Sequence, residues 1–311
     1  MAELRKDYIL DRWVLIAPKR GKRPHELELA ETKHEDECRF CPGNEAKFTP
    51  NEIGRIPQNG GWAVRWVPNV FAALQPEGNA VIRTDNRFFT VSDGVGRQEV
   101  IIETPRHDKQ LADLSQDEIE QVLSVYARRI VELENKDNIK YVSVFKNHGF
   151  QAGTSLVHSH SQVWASAVIP HDVQEKMSAS SRFLRCPYCS VIDIEKKSDR
   201  RCFENNDFVA FAPYASRFNY ELWILPKTHV ARFEKLNLKS LAELLRKALQ
   251  KVGRLDYNLV ITYAPKGHDF HVQIELLPRV ALWGGFELNT GIIVNAVAPE
   301  DAAKYYRGEA I

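Results

Sequence analysis

The 311-residue sequence lacks the features that mark three common classes of protein. Its 42 basic and 41 acidic residues leave a net charge of +1, so it has no excess of positive charge for coating nucleic acid. It has no uninterrupted apolar run long enough to span a bilayer. Residues 1–7 carry too many charges for a secretory signal. We therefore expect a cytoplasmic protein that binds neither nucleic acid nor membrane.

Cysteine is scarce, but four of the five cysteines form two Cys-x-x-Cys pairs, Cys38/Cys41 and Cys186/Cys189. Disulfides are not expected in a chain without an export signal. Such pairs are half of a tetrahedral zinc site or a redox motif. A redox motif would have a single pair at the start of a helix, whereas two pairs followed by distant histidines favour zinc. Cys202 is left over and is predicted to be a small buried residue.

Two histidines, His158 and His160, lie two residues apart on a predicted β-strand. Residues two apart in a strand point to the same face, so both imidazoles would face one pocket. A neutral imidazole can bind a metal or act as a nucleophile. The motif therefore allows one histidine to bind a metal while the other does chemistry.

The two halves of the chain repeat five elements in the same order. These are a Cys-x-x-Cys pair, a short apolar segment, a strand ending in Pro and then His, a helix, and a strand leading to a His-containing motif. In the first half they are 38–41, 69–74, 99–107, a helix begun by a capping box at 115–118, and 141–164. In the second half they are 186–189, 207–211, 221–229, a helix over 238–252, and 257–274. The repeat predicts an α+β fold of two halves, 1–178 and 179–311, each an antiparallel sheet with a packed helix.

The repeat also predicts the metal ligands. The first site would use Cys38, Cys41, His107 and His158, a Cys₂His₂ set suited to structural zinc. The second would use Cys186, Cys189 and His229 with a fourth ligand that is either Asp269 or His271. Matching His160 to His271 puts Asp269 at the position of His158. A strand points both candidates to the same side.

Beyond these patterns, the chain resembles the galactose-1-phosphate uridylyltransferase family of the histidine-triad superfamily over almost its whole length. Within that family it is most similar to the plant-type, ADP-glucose phosphorylase-like members. The resemblance rests on the segments 13–20 with Arg23-Pro24, Cys38-Arg-Phe-Cys41, 69–74, Pro105-Arg-His107, Asn147-His-Gly149, Ser155, His158-Ser-His160-Ser-Gln162 and 284–291.

The resemblance implies a ping-pong nucleotidyl transfer and a homodimer. His160 would attack the α-phosphorus of a nucleotide sugar, and Gln162 would donate a hydrogen bond to a phosphate oxygen. The other implied substrate contacts are Asn147 and Ser155 for phosphate, Asn69 and Phe71 for the nucleotide, Glu287 for sugar hydroxyls, and Arg20 and Arg23 for phosphate. Both arginines could equally be solubilising surface charge.

Three functions remain open at this point. The first is a uridylyltransferase that moves a nucleotidyl group from a UDP-glucose-type donor to hexose 1-phosphate. The second is a nucleotide-sugar phosphorylase that uses inorganic phosphate, as in ADP-glucose phosphorylase. Serines flank His160, as they do in the plant-type enzymes, whereas bacterial-type uridylyltransferases have Pro and Gly at these positions. The third is a non-catalytic zinc-binding module, which would not require Gln162, Ser155 and Asn147 in this arrangement.

Overall fold

The structure is a computed structural model that describes residues 2–22, 37–57 and 59–310. Over these residues the strands are β1 (Glu3–Lys6), β2 (Trp13–Ile16), β3 (Gly54–Ile56), β4 (Val64–Pro68), β5 (Arg83–Thr84), β6 (Thr90–Val91), β7 (Gly96–Ile102), β8 (Tyr141–His148), β9 (His160–Ser166), β10 (Arg201–Glu204), β11 (Phe208–Phe211), β12 (Leu222–Pro226), β13 (Tyr257–Thr262), β14 (Gln273–Pro278) and β15 (Ile293–Asn295). The α-helices are α1 (Glu45–Phe48), α2 (Gln116–Glu134), α3 (His171–Ser180), α4 (Pro187–Glu195), α5 (Leu238–Val252), α6 (Gly285–Thr290) and α7 (Pro299–Arg307).

One antiparallel sheet of ten strands organises the molecule. Its strand order is β10-β11-β12-β14-β13-β8-β9-β7-β4-β3, and the two halves of the chain meet where β13 pairs with β8. The two halves of this order mirror each other. Read from the two edges toward the centre, β10, β11, β12, β14 and β13 correspond to β3, β4, β7, β9 and β8. The predicted α+β fold with duplicated halves is confirmed, and the two half-sheets join into one. The division at residue 178 stays a prediction, and α3 runs across it.

Helices α2 and α5 cover one face of this sheet. The side chain of Ser115 accepts a hydrogen bond from the amide of Glu118, whose carboxylate accepts from the amide of Ser115. This capping box starts α2, and the side chain of Asn237 caps α5 in a similar way. The apolar stripes of both helices pack with strands of both halves in a single buried cluster. The core therefore belongs to the two halves jointly.

The opposite face of the sheet carries the His-x-His motif. On β9, Val163 and Ala165 belong to the core beneath the helices, so the residues that alternate with them, His160 and Gln162, point the other way. Gln162 pairs directly with Phe145 of β8, which places both side chains on this second face.

A smaller sheet, β1-β2-β15, packs beside the second half, with β15 parallel to β2. The side chain of Asn295 joins it to the large sheet's connections by donating to the carbonyls of Ser216 and Phe218, at 2.8 and 3.1 Å. The segment that follows β2 contains Arg20, and α6, just before β15, contains Glu287. In the part of the chain that the structure describes, no helix combines the length and apolar character needed to cross a membrane.

Because the core is shared, we expect the two halves to unfold together. Leu123 on α2 and Leu245 on α5 are both buried in it, and truncating either to Ala should cost about 2–5 kcal/mol of unfolding free energy. Urea titration followed by circular dichroism and tryptophan fluorescence should give one coincident transition for each variant. The exposed Leu184→Ala is the control. Two separate transitions, each moved by only one substitution, would contradict a shared core.

Candidate active site and metal clusters

The imidazole of His160 is oriented by the backbone of its own strand. Its Nδ1 lies 2.8 Å from the carbonyl oxygen of His158. A carbonyl can only accept, so Nδ1 carries the proton and Nε2 keeps its lone pair. Burial and, to a smaller extent, the nearby charge of Lys146 lower the pKa of His160 to about 4. The ring is therefore neutral near neutral pH, the form in which imidazole is a nucleophile.

His160 opens onto a cavity of about 260 Å³, here called the His160 cavity. It brings together five of the predicted site residues: His160, Gln162, Ser155, Asn69 and Phe71. Its remaining walls, which include Phe40, Phe48, Val67, Val100 and Leu156, are mostly apolar. A slot of this kind suits a nucleobase and ribose beside a polar end that suits phosphate.

Arg39, Phe40 and Phe48 are among the cavity residues that sequence reasoning missed. The guanidinium of Arg39 lies 5.4 Å from the ring centre of Phe48 and 5.9 Å from that of Phe71. Arg39 and Phe40 lie inside the first Cys-x-x-Cys pair, so their nearness to a metal ligand was a usable signal. Phe48 lies on the four-residue helix α1, which carries no pattern of its own.

Asn147 lies in an adjoining cavity of about 170 Å³ that also includes His160. Its side-chain oxygen accepts a hydrogen bond from Asn258 at 2.9 Å, which leaves the amide NH₂ as its donor. The following Gly149 has φ +83°, and a Cβ there would lie 1.8 Å from a carboxylate oxygen of Asp256. Asp256 also accepts from the amide of Gln151 at 2.7 Å. This turn therefore requires glycine and is fixed next to Asn147.

The first metal cluster consists of Cys38, Cys41, His107 and His158, as predicted from the repeat. Nδ1 of His158 lies 3.4 and 3.7 Å from the two sulfurs, and Nδ1 of His107 lies 3.5 Å from Cys41 Sγ. Tetrahedral bonds of about 2.3 Å to sulfur and about 2.1 Å to nitrogen separate such donors by about 3.6 Å. Burial raises the pKa of the Cys41 thiol to about 11, so a bound cation is what would favour the thiolate. The donor set fits a tetrahedral metal.

A hydrogen bond links this cluster to the nucleophile candidate. Nε2 of His158 lies 2.7 Å from the carbonyl oxygen of Thr104, so the ring directs Nδ1 at the cysteines. The backbone carbonyl of the same residue accepts the Nδ1 proton of His160. The metal cluster therefore holds the residue that orients His160.

The second cluster consists of Cys186, Cys189, His229 and His271. Nδ1 of His271 lies 3.7 Å from each sulfur, and its Nε2 lies 2.9 Å from the carbonyl oxygen of Pro226. This is the geometry of His158. His271 is therefore the counterpart of His158, and the match of His271 to His160 was wrong by two residues.

Asp269, the other candidate for the fourth ligand, lies outside this cluster. One of its carboxylate oxygens instead accepts from Nε2 of His229 at 2.8 Å, which orients that ring toward Cys189. The corrected register makes Gln273 the counterpart of His160. An amide cannot replace an imidazole as nucleophile, and Lys176 already binds the Gln273 oxygen at 2.9 Å.

Two predicted substrate contacts among the described residues, Arg20 and Glu287, lie away from the His160 cavity of their own chain. Arg20 is exposed, and Glu287 accepts from the amide of Gly284 at 2.9 Å at the start of α6. Neither lines the cavity. Arg23 lies outside the described residues.

Several known proteins are similar to this chain. A family profile described as "Galactose-1-phosphate uridyl transferase, N-terminal domain" matches residues 1–170. An ADP-glucose phosphorylase from Arabidopsis thaliana is 33% identical over 98% of this chain and 92% of its own length. A galactose-1-phosphate uridylyltransferase from Thermotoga maritima is 27% identical over 99% and 98%.

Among solved structures, an Arabidopsis thaliana ADP-glucose phosphorylase with bound ADP-glucose superposes with a TM-score of 0.87 at 31% identity, covering all of both chains. A uridylyltransferase structure superposes with a TM-score of 0.76 at 25% identity, over 99% of this chain and 98% of the other. The resemblance inferred from the motifs is confirmed.

The assignment of His271 as a ligand predicts different metal stoichiometries for two neighbouring variants. Elemental analysis of the purified wild type should give two metal ions per chain, and His271→Ala should give one. Asp269→Asn should keep two but release one of them faster to a chelator, because ligand-orienting partners typically change affinity by about 10–100-fold. If Asp269→Asn lost an ion and His271→Ala kept both, the ligand assignment would be wrong.

Proposed function

The chain belongs to the galactose-1-phosphate uridylyltransferase family, and we propose that it transfers a nucleoside monophosphate from a nucleotide sugar to hexose 1-phosphate through a covalent nucleotidyl-His160. The observation that carries this proposal is the bond from His160 Nδ1 to the carbonyl of His158. It leaves the Nε2 lone pair for attack on phosphorus in a cavity of nucleotide size. The family and its named relatives are transferases, so the chain is an enzyme.

The transfer has two displacements at the same phosphorus. In the first, Nε2 of His160 bonds to the α-phosphorus of the donor, the phosphoanhydride bond breaks, and sugar 1-phosphate leaves with the bond's electron pair. In the second, a phosphate oxygen of the acceptor bonds to that phosphorus and the P–N bond breaks, which restores the neutral ring. In both steps the proton stays on Nδ1, which donates it in the hydrogen bond to the His158 carbonyl. Gln162 donates to a phosphate oxygen as charge develops.

The residues that share the cavities divide the substrate among them. We assign Asn69 and Phe71, which line the His160 cavity among its apolar walls, to the nucleoside. Ser155 lines the His160 cavity and Asn147 lines the adjoining one, and both offer donors to phosphate oxygens. The pyrophosphate then crosses the Nε2 face of His160.

Inorganic phosphate is the second candidate acceptor, which would make the protein a nucleotide-sugar phosphorylase. Two observations favour it: the full-length similarity to a plant ADP-glucose phosphorylase, and the serines that flank His160 as in the plant-type enzymes. The first displacement is the same in both candidates. Only the group that attacks nucleotidyl-His160 differs.

Zinc is the metal that we assign to both clusters. Two thiolates and two imidazoles in a tetrahedral set are typical of structural Zn²⁺. An ion held by all four side chains would have no position open to substrate and would serve to fix the folded loops. Cys38, Cys41, His107 and His158 thereby hold the backbone beside His160.

A second copy of the chain completes the site in this proposal. Arg20 and Glu287 flank the small sheet and do not line the His160 cavity of their own chain. Large apolar side chains are exposed at the cavity (Phe71), between β5 and β6 (Phe88), and around α6 (Trp283 and Phe286). A two-fold dimer that covers them would bring Glu287 of one copy to the sugar bound by the other. We also propose a cytoplasmic location, in which the cysteines of both clusters stay reduced.

Turnover assays with each donor and each acceptor test the proposal. Wild-type protein should turn over UDP-glucose or ADP-glucose repeatedly only when galactose 1-phosphate or phosphate is present, and without acceptor it should consume no more than one donor per site. The productive pair identifies the acceptor. His160→Asn should lower kcat at least about a thousandfold, because it removes the nucleophile. The control is His171→Asn, an exposed histidine on α3. Full turnover by His160→Asn would refute a covalent route through this residue.

A further inference from the structure

A buried ionic cluster lies directly behind His160, on the helix-covered side of the sheet. Its centre is the Glu103 carboxylate. One oxygen accepts from Lys146 Nζ at 2.7 Å and from Ser159 Oγ at 2.5 Å. The other accepts from Tyr126 Oη at 2.9 Å and from the hydroxyl of Ser161. Each of these five residues, here called the Glu103 cluster, is at most 2% exposed.

Hydrogen bonds connect the Glu103 cluster to the chain on both sides of His160. Ser159 and Ser161 flank it in sequence and point away from the cavity to the same carboxylate. Lys146 Nζ donates to the carbonyl oxygen of His160 at 3.0 Å and to Ser159 Oγ at 3.1 Å. The amide of Glu103 donates to the carbonyl of Ser159 at 3.1 Å. The peptide units that set the direction of the imidazole are therefore tied to one ion pair.

The second half of the chain shows what the same strand looks like without a nucleophile. With His271 as the counterpart of His158, the counterparts of Ser159 and Ser161 are Val272 and Ile274. By the pairing of β13 with β14, the counterpart of Lys146 is Ile261. All three are apolar members of the core.

Stability of the fold alone does not account for the Glu103 cluster. Well-packed apolar side chains are often as stabilising as a buried ion pair or more so, and the second half uses them at these positions. The polar set occurs in the half that carries His160. Burying these polar groups costs desolvation free energy. In return, their directional hydrogen bonds fix the backbone on both sides of His160, which apolar side chains would not do.

We propose that Glu103, Lys146, Ser159 and Ser161 are positioning residues that hold the His160 imidazole in line with the phosphorus it attacks. The inference rests on the proposed role of His160 as nucleophile. It predicts an effect on the chemical steps and little effect on binding, because the four side chains are at most 2% exposed and none of them lines the His160 cavity. Since both displacements make or break the same P–N bond, both should slow by a similar factor.

The test is the double variant Ser159→Ala/Ser161→Ala, which removes both hydroxyls and keeps the ion pair. Rapid quenching and intact mass would follow nucleotidylation by UDP-glucose or ADP-glucose, and then loss of the nucleotidyl group to the acceptor. Both rate constants should fall about 10–100-fold, the size of effect expected from a misplacement of about 1 Å. The donor concentration at half-maximal rate should stay within about threefold of wild type. Ser159→Thr/Ser161→Thr, which keeps the hydroxyls, should recover most of the rate.

The matched control is Glu275→Gln, which breaks the buried Lys176–Glu275 pair of the second half. It should lower thermal stability but leave both rate constants within about twofold of wild type. Wild-type rates in the double alanine variant would overturn the inference, as would an equal slowing in Glu275→Gln. If the wild type itself formed no nucleotidyl adduct, the role of His160 would fall, and the inference with it. An adduct in wild type with unchanged rates in the double variant would overturn the inference alone.

Discussion

The structure depends on one hydrogen bond, from Nδ1 of His160 to the carbonyl oxygen of His158. It fixes the tautomer, so that the nitrogen facing the cavity is the one with a lone pair. The accepting residue is held from its own side chain, which lies between a metal cluster and the carbonyl of Thr104. Metal binding, strand geometry and nucleophile orientation thus meet in three consecutive residues, 158–160.

Duplication explains why one such site is enough. Both halves kept the Cys₂His₂ cluster and the helix over the sheet. At the position of His160 the second half has Gln273, and Lys176 from α3 fills the space by binding both Gln273 and Glu275. The buried carboxylate of Glu275 has its pKa lowered to about 2, despite burial, by Lys176 and Arg217. The second half therefore supports the shared core and sheet, while the first carries the chemistry.

Much of this could be read from the sequence, because the relevant signals were local. The capping box at Ser115 and the apolar period over 238–252 predicted α2 and α5, and the repeat of the two halves predicted the first cluster. The predictions that failed, and the contacts that were missed, depended on strand register or joined residues far apart in the sequence. A Gln follows both His160 and His271 by two residues, and a strand puts i and i+2 on one face, so pattern alone could not separate the two alignments. The Glu103–Lys146 pair joins residues on β8 and beyond β7, and no local pattern connects them. Joining of the half-sheets through β8 and β13 is likewise a long-range pairing.

The most direct test of the account is the mass of the intact protein after incubation with UDP-glucose or ADP-glucose in the absence of acceptor. The account predicts the added mass of one uridylyl or adenylyl group, located by peptide mapping at His160 and removed when acceptor is supplied. The same adduct should be absent from His160→Asn. No adduct with either donor, or an adduct on another residue, would contradict the central claim that His160 is the nucleophile.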